Sequence, residues 1–197
     1  HLLTDINKKS HPIKYKYHDA SILLFARVPI IDRVKTRLVK VLTKLEILSL
    51  YKSMFEHVIC LLYKSNLAEI QLWLDADRSK KNKAMPALPP SFILCKQING
   101  DLGAKMSFAV RQTLEFNKFE FLIIIGVDCP ALSYEYLDRA LQCLRDGVEL
   151  VLGPAEDGGY VLIGMNDNYP EIFEDISWGT SDVLEETIVN AKRIGIN

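Results

Sequence analysis

The sequence predicts an α/β fold with a mainly parallel sheet and helices on both faces. Three observations support this prediction. Short apolar segments alternate with segments of helical periodicity along the chain, which is the order that βαβ units produce. The segment FLIIIGV at 121–127 is wholly apolar and rich in β-branched residues, as expected of a strand that is buried on both faces. With 197 residues, the chain is long enough for one domain with a substantial core.

The domain is predicted to begin near residue 20. Residues 1–19 are polar and basic and show no clean periodicity, so we expect an N-terminal arm outside the fold. Residues 20–197 are predicted to form a single domain, because they contain no internal repeat, low-complexity segment or visible domain boundary.

The individual elements follow from local patterns. SILLFAR, which starts at Ser21, is short and apolar and is the first predicted strand. A helix is predicted over about residues 44–64, because Thr43 and Glu46 form a capping box and apolar residues follow at helical spacing. The later predicted strands are EIQLWLDA, SFILCKQ, FLIIIGV, ELVLGP and YVLIGM. The later helices are predicted to begin in GDLGAKM, at about Tyr134 after a Ser133 cap, and near Asp182.

Composition excludes several functional classes. The net charge is -1, which gives no reason to expect a nucleic-acid partner. The longest strongly apolar run, FLIIIGV, is far too short to span a bilayer, so we expect no membrane partner. None of the four cysteines forms a C-x-x-C pair, which argues against a zinc knuckle and favours a reduced, cytoplasmic protein.

The segment after the first strand is a candidate phosphate site. Ligands of parallel sheets bind at the carboxyl ends of the strands. RVPIIDRVKTRL occupies this position and holds four basic residues, including Arg27, Lys35 and Arg37. The planar fork of arginine and the point charge of lysine both suit a pyrophosphate. The loop lacks the Walker pattern, and a solvated basic loop is the alternative interpretation.

Asp128 directly follows the most apolar predicted strand, in GVDCPALS. A carboxylate there would be desolvated unless it were paired, hydrogen-bonded or bound to a metal. Aspartate oxygen suits Mg²⁺ or Mn²⁺, which nucleotide-diphosphate chemistry commonly needs. The alternative is an aspartate that only accepts hydrogen bonds from backbone N–H groups in the turn.

The start of the helix in QINGDLGAKM is a second candidate for nucleotide binding. Asn99 or Asp101 can cap this helix, and Gly103 is expected to leave its first turn with little side-chain cover. A helix N-terminus of this kind can bind an anion or the edge of a base. For Asp101 alone, a cap is the simpler explanation.

GPAEDGGYVLIG combines two acids and four glycines where one strand ends and the next begins. Asp157 could complete a metal site or orient a hydroxyl group, while Gly158 and Gly159 would let the backbone approach a ligand. Tyr160 begins the following strand. An Asp-Gly hairpin turn is the alternative interpretation. In ISWGTSD, Trp178 either stacks on a sugar or base or plugs the edge of the core.

Five segments carry a resemblance to a known family: ILLFARVPIIDRVKTRL, QINGDLGAKM, IIIGVDCPALS, GPAEDGGYVLIG and IFEDISWGTSDVLEET. In this order they resemble a bacterial family of glycosyltransferase-A-like proteins. That family is related to 2-phospholactate guanylyltransferase and, more distantly, to molybdenum cofactor guanylyltransferase. The resemblance extends from Ser21 to Thr187.

The resemblance implies a fold and a set of ligands. The fold would be that of the nucleotide-diphospho-sugar transferases, a three-layer α/β/α Rossmann-like sandwich of the glycosyltransferase-A (GT-A) type. Nucleotide phosphates would bind Lys35 and Arg37, and Arg27 stands where the family usually has lysine. A divalent ion, Mg²⁺ or Mn²⁺, would bind Asp128.

Two positions depart from the family pattern. Pro130 stands where the second acid of a D-x-D motif would be, so a second metal ligand must come from elsewhere, and Asp157 is our candidate. Asp32 stands in the phosphate loop where the family usually has glycine. Aspartate tolerates a left-handed backbone better than most residues, but it adds a negative charge near the proposed phosphates.

The residues and the resemblance together predict a metal-dependent transferase that uses a nucleotide-activated donor. The leading hypothesis is transfer of a glycosyl group from a nucleoside-diphosphate sugar to an unknown acceptor. The close alternative is guanylyltransferase-like nucleotidyl transfer from a nucleoside triphosphate, which releases pyrophosphate. A non-catalytic nucleotide-binding or scaffold protein is an alternative of another class, motivated by Asp32 and the missing second acid. An exposed edge strand is compatible with a homodimer.

Each predicted site residue has an assigned role. The predicted residues are Asp128 and Asp157 for catalysis and metal binding, Arg27, Lys35, Arg37, Asp101 and Gly103 for the nucleotide, and Gly158, Gly159, Tyr160 and Trp178 for the acceptor.

Overall fold

The computed structural model describes residues 14–31, 34, 40–75 and 85–196. Within these residues, one six-stranded sheet lies between two layers of helices. The elements in chain order are β1 (Ala20–Ala26), α1 (Lys44–Ser65), β2 (Glu69–Leu74), β3 (Ile93–Lys96), α2 (Leu102–Arg111), β4 (Phe121–Gly126), α3 (Tyr134–Arg145), β5 (Leu150–Pro154), β6 (Tyr160–Met165) and α4 (Val183–Arg193). A π-helix, Gln112–Phe116, continues α2, and a 3-10 helix, Pro170–Phe173, precedes α4.

The strands lie in the order β3-β2-β1-β4-β6-β5. β1 pairs in parallel with β2 and β4, and β2 pairs in parallel with β3. Among the described strands, β6 alone runs against its neighbours and pairs antiparallel with β4 and β5. The predicted mainly parallel sheet is confirmed, and its reversed strand belongs to a β5–β6 hairpin.

Alternate residues of the central strand β1 face two separate cores. Ile22 and Leu24 lie in the cluster that includes α1 and α3, whereas Leu23 lies in the cluster that includes α2 and α4. All three side chains are fully buried, because successive side chains of a strand point to opposite faces and helices cover both faces. The three-layer α/β/α sandwich is therefore confirmed.

The predicted caps of α1 and α3 are present. At α1, the Glu46 N–H donates to Thr43 Oγ1 at 3.3 Å and the Thr43 N–H donates to Glu46 Oε2 at 2.8 Å, so both halves of the capping box form. At α3, the Tyr136 N–H donates to Ser133 Oγ at 3.2 Å. These bonds satisfy N–H groups that a helix start leaves without partners.

The residues immediately before β1 belong to the fold, contrary to the predicted arm. Tyr17 has 0% exposure and lies in the core shared by α1 and α3. The N–H groups of Lys16 and Tyr17 donate to the carbonyls of Asn66 and Leu67 at 3.0 and 2.7 Å. A single aromatic residue among polar ones shows no periodicity, which is why the sequence pattern missed this segment. Residues 1–13 lie outside the described part of the chain.

Asp138 of α3 fastens this segment to the domain. Lys16 Nζ lies 2.6 Å from Asp138 Oδ1, and the Tyr17 hydroxyl donates to the same oxygen at 2.7 Å. Burial opposes ionisation of Asp138, but the hydrogen bonds from Lys16 and Tyr17 outweigh burial and lower the pKa of Asp138. The ionised carboxylate therefore stabilises the folded state.

We predict that Asp138→Asn lowers the urea midpoint of unfolding at pH 7. Because the pKa of Asp138 is lowered by folding, its contribution is fully present above the unfolded pKa of about 3.9 and is lost as the pH falls through the folded value. The midpoints of wild type and variant should therefore differ at pH 7 and converge in acid, once the pH lies below the folded pKa of Asp138. Urea unfolding followed by circular dichroism measures both. An equal difference at the two pH values would contradict a role for the ionised carboxylate.

Candidate functional site

The carboxyl ends of β1 and β4 form the switch point of the sheet. β1 continues through α1 to β2 on one side, whereas β4 lies on its other side. Phe25 pairs with Gly126, so Arg27 and Asp128 leave neighbouring strands at the same edge. In open α/β sheets, ligands bind at such a point because the connections diverge to opposite sides.

The β5–β6 hairpin brings its turn to this same edge. Because β6 pairs antiparallel with β4, with Leu162 opposite Ile125, β6 begins where β4 ends. The turn at residues 155–159 therefore lies at the carboxyl end of β4. Asp128 and Asp157, the two acids predicted to bind a metal, thus share one edge.

A buried tyrosine from α1 holds the end of β1. The Tyr51 hydroxyl accepts a hydrogen bond from the Arg27 N–H at 2.9 Å and donates one to the Arg27 carbonyl at 3.0 Å. Burial raises the pKa of Tyr51, and the negative charges of Asp128 and Asp75 raise it further. Through its two hydrogen bonds, Tyr51 positions the backbone of Arg27 at the carboxyl end of β1.

Asp75 and Gln97 tie together the ends of three strands. The Val28 N–H donates to Asp75 Oδ1 at 2.9 Å, which fastens the chain after β1 to the end of β2. Gln97, just after β3, donates from Nε2 to the carbonyl of Trp73 at 2.9 Å and to that of Ala26 at 3.4 Å. The ends of β1, β2 and β3 are therefore held in register by side chains.

Sequence reasoning missed these three positioning residues. Asp75 and Gln97 lie inside the predicted strands EIQLWLDA and SFILCKQ, whereas the observed strands end one residue before each of them, at Leu74 and Lys96. The predicted strands were therefore too long to mark these two residues as strand-end positions. Tyr51 gave no signal of its own, because an apolar position on a helix and a hydrogen-bonding tyrosine have the same periodicity.

Asp128 is exposed, so its carboxylate is not desolvated at the end of β4. β4 ends at Gly126, and Val127 is the last buried residue before the chain leaves the sheet. A turn follows, in which the Leu132 N–H donates to the Cys129 carbonyl at 3.3 Å. The carboxylate thus stands at the surface, where water solvates its charge.

The predicted Asp-Gly hairpin turn is present. The Ala155 N–H donates to the Gly159 carbonyl at 3.0 Å, and the Gly159 N–H donates to Asp157 Oδ1 at 3.1 Å. Asp157 therefore stabilises its own turn, yet its side chain remains exposed. A turn and an accessible carboxylate are compatible at this position.

Gly158 packs against the chain that leads into α4. Its φ is +83°, in the left-handed region that glycine favours. A Cβ at this position would collide with the backbone of Ser181. The Leu184 N–H also donates to the Gly158 carbonyl at 2.9 Å. Close backbone packing therefore accounts for glycine here.

Tyr160 packs against the core that includes α2 and α4. Burial raises the pKa of Tyr160 to about 12, with an opposing effect from nearby Thr187 of α4. Within the described residues, its buried hydroxyl has no hydrogen-bond partner. The ring thus contributes to the core, and its predicted contact with an acceptor stays a prediction.

Trp178 covers the start of α2. A Cβ on Gly103 would lie 2.8 Å from the Phe173 carbonyl oxygen and 3.0 Å from Trp178 Nε1. The expectation that the first turn has little side-chain cover is therefore wrong, because Gly103 admits the half-buried indole. Asp101 caps the helix by accepting a hydrogen bond from the Ala104 N–H at 2.8 Å.

Glu186 of α4 holds the loop that carries this tryptophan. The N–H and the hydroxyl of Ser177 donate to the two carboxylate oxygens of Glu186 at 2.7 and 2.9 Å. The loop at residues 177–182 contacts the start of α2 through Trp178 and the hairpin turn through the residues packed on Gly158. It forms a continuous rim between these two elements.

The predicted phosphate loop is described in part. The side chain of Arg27 is exposed at the end of β1, while Asp32, Lys35 and Arg37 lie outside the described residues.

Asp128 and Asp157 are the acids of this edge that could bind the predicted divalent ion. Among residues 14–31, 34, 40–75 and 85–196, no group of three or more His, Cys, Asp or Glu side chains could hold an ion. Mg²⁺ usually keeps several waters and binds through one or two carboxylates together with substrate phosphates. The exposed carboxylates of Asp128 and Asp157 suit that mode and not a cage built of protein ligands alone.

The fold is that of the nucleotide-diphospho-sugar transferases. A proposed transferase of this class from Desulfovibrio desulfuricans G20 has 30% sequence identity and a TM-score of 0.79, and the match covers 89% of this chain and 76% of that chain. Residues 59–180 match the family DUF2064, described as an uncharacterized protein conserved in bacteria, and the chain belongs to this family. The predicted family resemblance is confirmed.

Two more distant structures share the fold alone. The match to 4-diphosphocytidyl-2C-methyl-D-erythritol synthase has 11% identity, a TM-score of 0.57, and coverage of 90% of this chain and 85% of that chain. The match to CMP:2-keto-3-deoxy-manno-octonic acid synthetase, solved in complex with CTP, has 11% identity, a TM-score of 0.51, and coverage of 90% and 87%. No curated protein matches the sequence. None of the helices in the described residues has the length and apolar content needed to span a bilayer.

We predict that Tyr51→Phe destabilises the fold by about 1–3 kcal/mol, because the Arg27 N–H and carbonyl both lose their partner. Urea unfolding at pH 7 measures the change in free energy. Tyr63→Phe is the matched control, since Tyr63 lies on the same helix and is 53% exposed. The control should change the free energy of unfolding by less than about 0.5 kcal/mol. Equal effects in the two variants would show that the Tyr51 hydroxyl does not hold β1.

We predict that Gly103→Ala costs about 1–3 kcal/mol of stability, because the added methyl group displaces Trp178. The displaced indole should gain water contact, so the tryptophan emission maximum should move to longer wavelength. Gly126→Ala is the control, because the nearest atom to its Cβ would be the Asp128 nitrogen at 3.9 Å. Unchanged emission in Gly103→Ala would contradict the packing of Trp178 on α2.

Proposed function

We propose that this protein is a metal-dependent glycosyltransferase that transfers a sugar from a nucleoside-diphosphate sugar to an acceptor. The observation that carries the proposal is the emergence of Arg27 and Asp128 from neighbouring strands at the switch point, with Asp157 at the same edge. A cation and two exposed carboxylates supply the charges that a pyrophosphate and its divalent ion require.

Use of a nucleotide is supported by the relatives. The 30% identical protein from Desulfovibrio desulfuricans G20 is itself proposed to be a nucleotide-diphospho-sugar transferase. A more distant protein with the same fold was solved in complex with CTP. The transferase class rests on the first of these relatives, and the choice of a glycosyl group rests on our interpretation of the site.

In this proposal, the basic residues of the edge bind the phosphates and the acidic residues bind the metal ion. Arg27, with Lys35 and Arg37 from the same loop, would bind phosphate oxygens and neutralise the pyrophosphate. Asp128 and Asp157 would hold Mg²⁺ or Mn²⁺. A divalent ion bound there supplies positive charge where negative charge develops on the leaving nucleoside diphosphate.

In the proposed glycosyl transfer, negative charge would develop on the leaving nucleoside diphosphate at this edge of the sheet. A nucleophilic atom of the acceptor forms a bond to the anomeric carbon of the sugar, and the bond from that carbon to the phosphate oxygen breaks. The electron pair of the broken bond leaves with the nucleoside diphosphate, and the proton of an attacking acceptor hydroxyl passes to solvent. Tyr51 and Gln97 hold the strand ends beforehand, so little of the surrounding backbone has to reorganise during the step.

Nucleotidyl transfer remains the second candidate, because it needs the same phosphate and metal contacts. There, an acceptor phosphate attacks the α-phosphorus of a nucleoside triphosphate and pyrophosphate leaves. The products distinguish the candidates, since glycosyl transfer releases a nucleoside diphosphate. A protein that binds nucleotides and releases neither product would have the non-catalytic role.

We predict that at least one nucleoside-diphosphate sugar stabilises the protein when Mg²⁺ or Mn²⁺ is present. A ligand at a hundred times its dissociation constant adds about 2.7 kcal/mol to the free energy of unfolding. Thermal unfolding with UDP-glucose, GDP-mannose and the common nucleoside triphosphates, each with and without the ions, measures this. An unchanged melting temperature with every ligand would contradict the proposal, and stabilisation by triphosphates alone would favour nucleotidyl transfer.

The same thermal unfolding assay tests whether Asp128 and Asp157 bind the ion. Asp128→Asn and Asp157→Asn should each remove most of the ion-dependent part of the stabilisation, because an amide binds a hard cation far more weakly than a carboxylate. Glu156→Gln is the matched control, since Glu156 is an exposed acid in the same turn. If Asp128→Asn keeps the full ion-dependent stabilisation, the ion binds elsewhere and the proposed role of Asp128 is wrong.

A further inference from the structure

A tyrosine outside the predicted site reaches the same edge of the sheet. Tyr136 lies in the first turn of α3, eight residues after Asp128. Ser133 caps that turn by accepting a hydrogen bond from the Tyr136 N–H at 3.2 Å. Because the cap sets where the helix begins, it also sets where the Tyr136 ring leaves it.

The Tyr136 hydroxyl lies against the carboxyl end of β5. It occupies the space that a Cβ on Gly153 would fill, and the ring carbon that bears the hydroxyl would lie 3.2 Å from that Cβ. Gly153 comes directly before Pro154, the last residue of β5, and the hairpin turn follows. The ring therefore reaches from α3 to the strand that leads into the turn carrying Asp157.

The Tyr136 hydroxyl lies in a partly buried environment. Burial is the larger cause of the raised pKa of Tyr136, and an electrostatic interaction with the Cys129 side chain is the smaller one. Cys129 is the neighbour of Asp128 in the chain. The hydroxyl end is thus partly desolvated and near the loop after β4, although the residue as a whole is 40% exposed.

This hydroxyl also lacks a hydrogen-bond partner within the described residues, where the hydroxyls of Tyr17 and Tyr51 each donate to a protein acceptor. A partly buried hydroxyl with no protein partner can bind a polar group of a ligand. Because the residue as a whole is exposed, part of it can contact a ligand.

We propose that the Tyr136 hydroxyl binds a hydroxyl group of the sugar in the nucleoside-diphosphate sugar. The inference rests on the proposed function. The basic loop that would bind the phosphates follows β1, whereas Tyr136 lies beyond β4, over β5. A donor whose phosphates lie at the ends of β1 and β4 would extend its sugar towards this half of the edge. Tyr136 is then a substrate-binding residue that selects for the transferred group.

The test separates binding of the sugar from binding of the nucleotide. Dissociation constants are measured for UDP and UDP-glucose, and for GDP and GDP-mannose, with Mg²⁺ or Mn²⁺ present. Tyr136→Phe should weaken the binding of the nucleoside-diphosphate sugar by about tenfold, because one hydrogen bond is lost. Its affinity for the nucleoside diphosphate should stay within about twofold, and its melting temperature should match that of wild type.

Tyr134→Phe is the matched control. Tyr134 lies in the same helical turn and is 38% exposed, and its substitution should leave both affinities within about twofold of wild type. If Tyr136→Phe binds every ligand as wild type does, or loses affinity for sugar and diphosphate forms equally, the inference is overturned while the proposed function stands. If wild type binds none of the four ligands, the proposed function fails and the inference fails with it.

Discussion

The parallel pairing of β1 with β4 is the constraint on which the candidate site depends. Both strands are buried on two faces, and a slip of one residue would turn Ile123 and Ile125 towards the opposite core. The register is therefore fixed by burial. Because β1 connects onward to one side and β4 lies on the other, the connections diverge at their carboxyl ends. Arg27 and Asp128 meet at this edge as a consequence of how the core packs.

The groups that position the site differ in burial from the groups proposed to bind substrate. Tyr51 and Gln97 hold strand ends through hydroxyl and amide groups, which can be buried at modest cost once they are hydrogen-bonded. Asp128 and Asp157 are exposed, because an ionised carboxylate taken out of water costs several kcal/mol unless a partner compensates it. In the proposed function, a cation bound to the substrate phosphates would be such a partner for these two acids.

Local sequence patterns were sufficient to predict the fold and the position of part of the candidate site. The uniform apolarity of FLIIIGV predicted a central strand, and the Thr43 capping box predicted the start of α1, because both depend on residues close in sequence. Tyr17 and Tyr51 were not predicted to have their roles, since each depends on contacts with residues far along the chain. The position of Asp128 was predictable from its strand, but its exposure was not, because exposure depends on where the neighbouring elements end.

The glycines around the candidate site show why the groups packed against them could not be predicted from the sequence. A glycine that lets a ligand approach and a glycine that lets a side chain pack give the same sequence signal, since both reflect only the absence of a Cβ. In the structure, Gly103 admits Trp178, Gly158 admits the backbone of Ser181, and Gly153 admits Tyr136. The rim is therefore fixed by side chains and backbone that fill the space next to glycine. It follows that any selectivity for substrate along this rim belongs to the admitted groups, and a substitution at one of these glycines changes the site by displacing them.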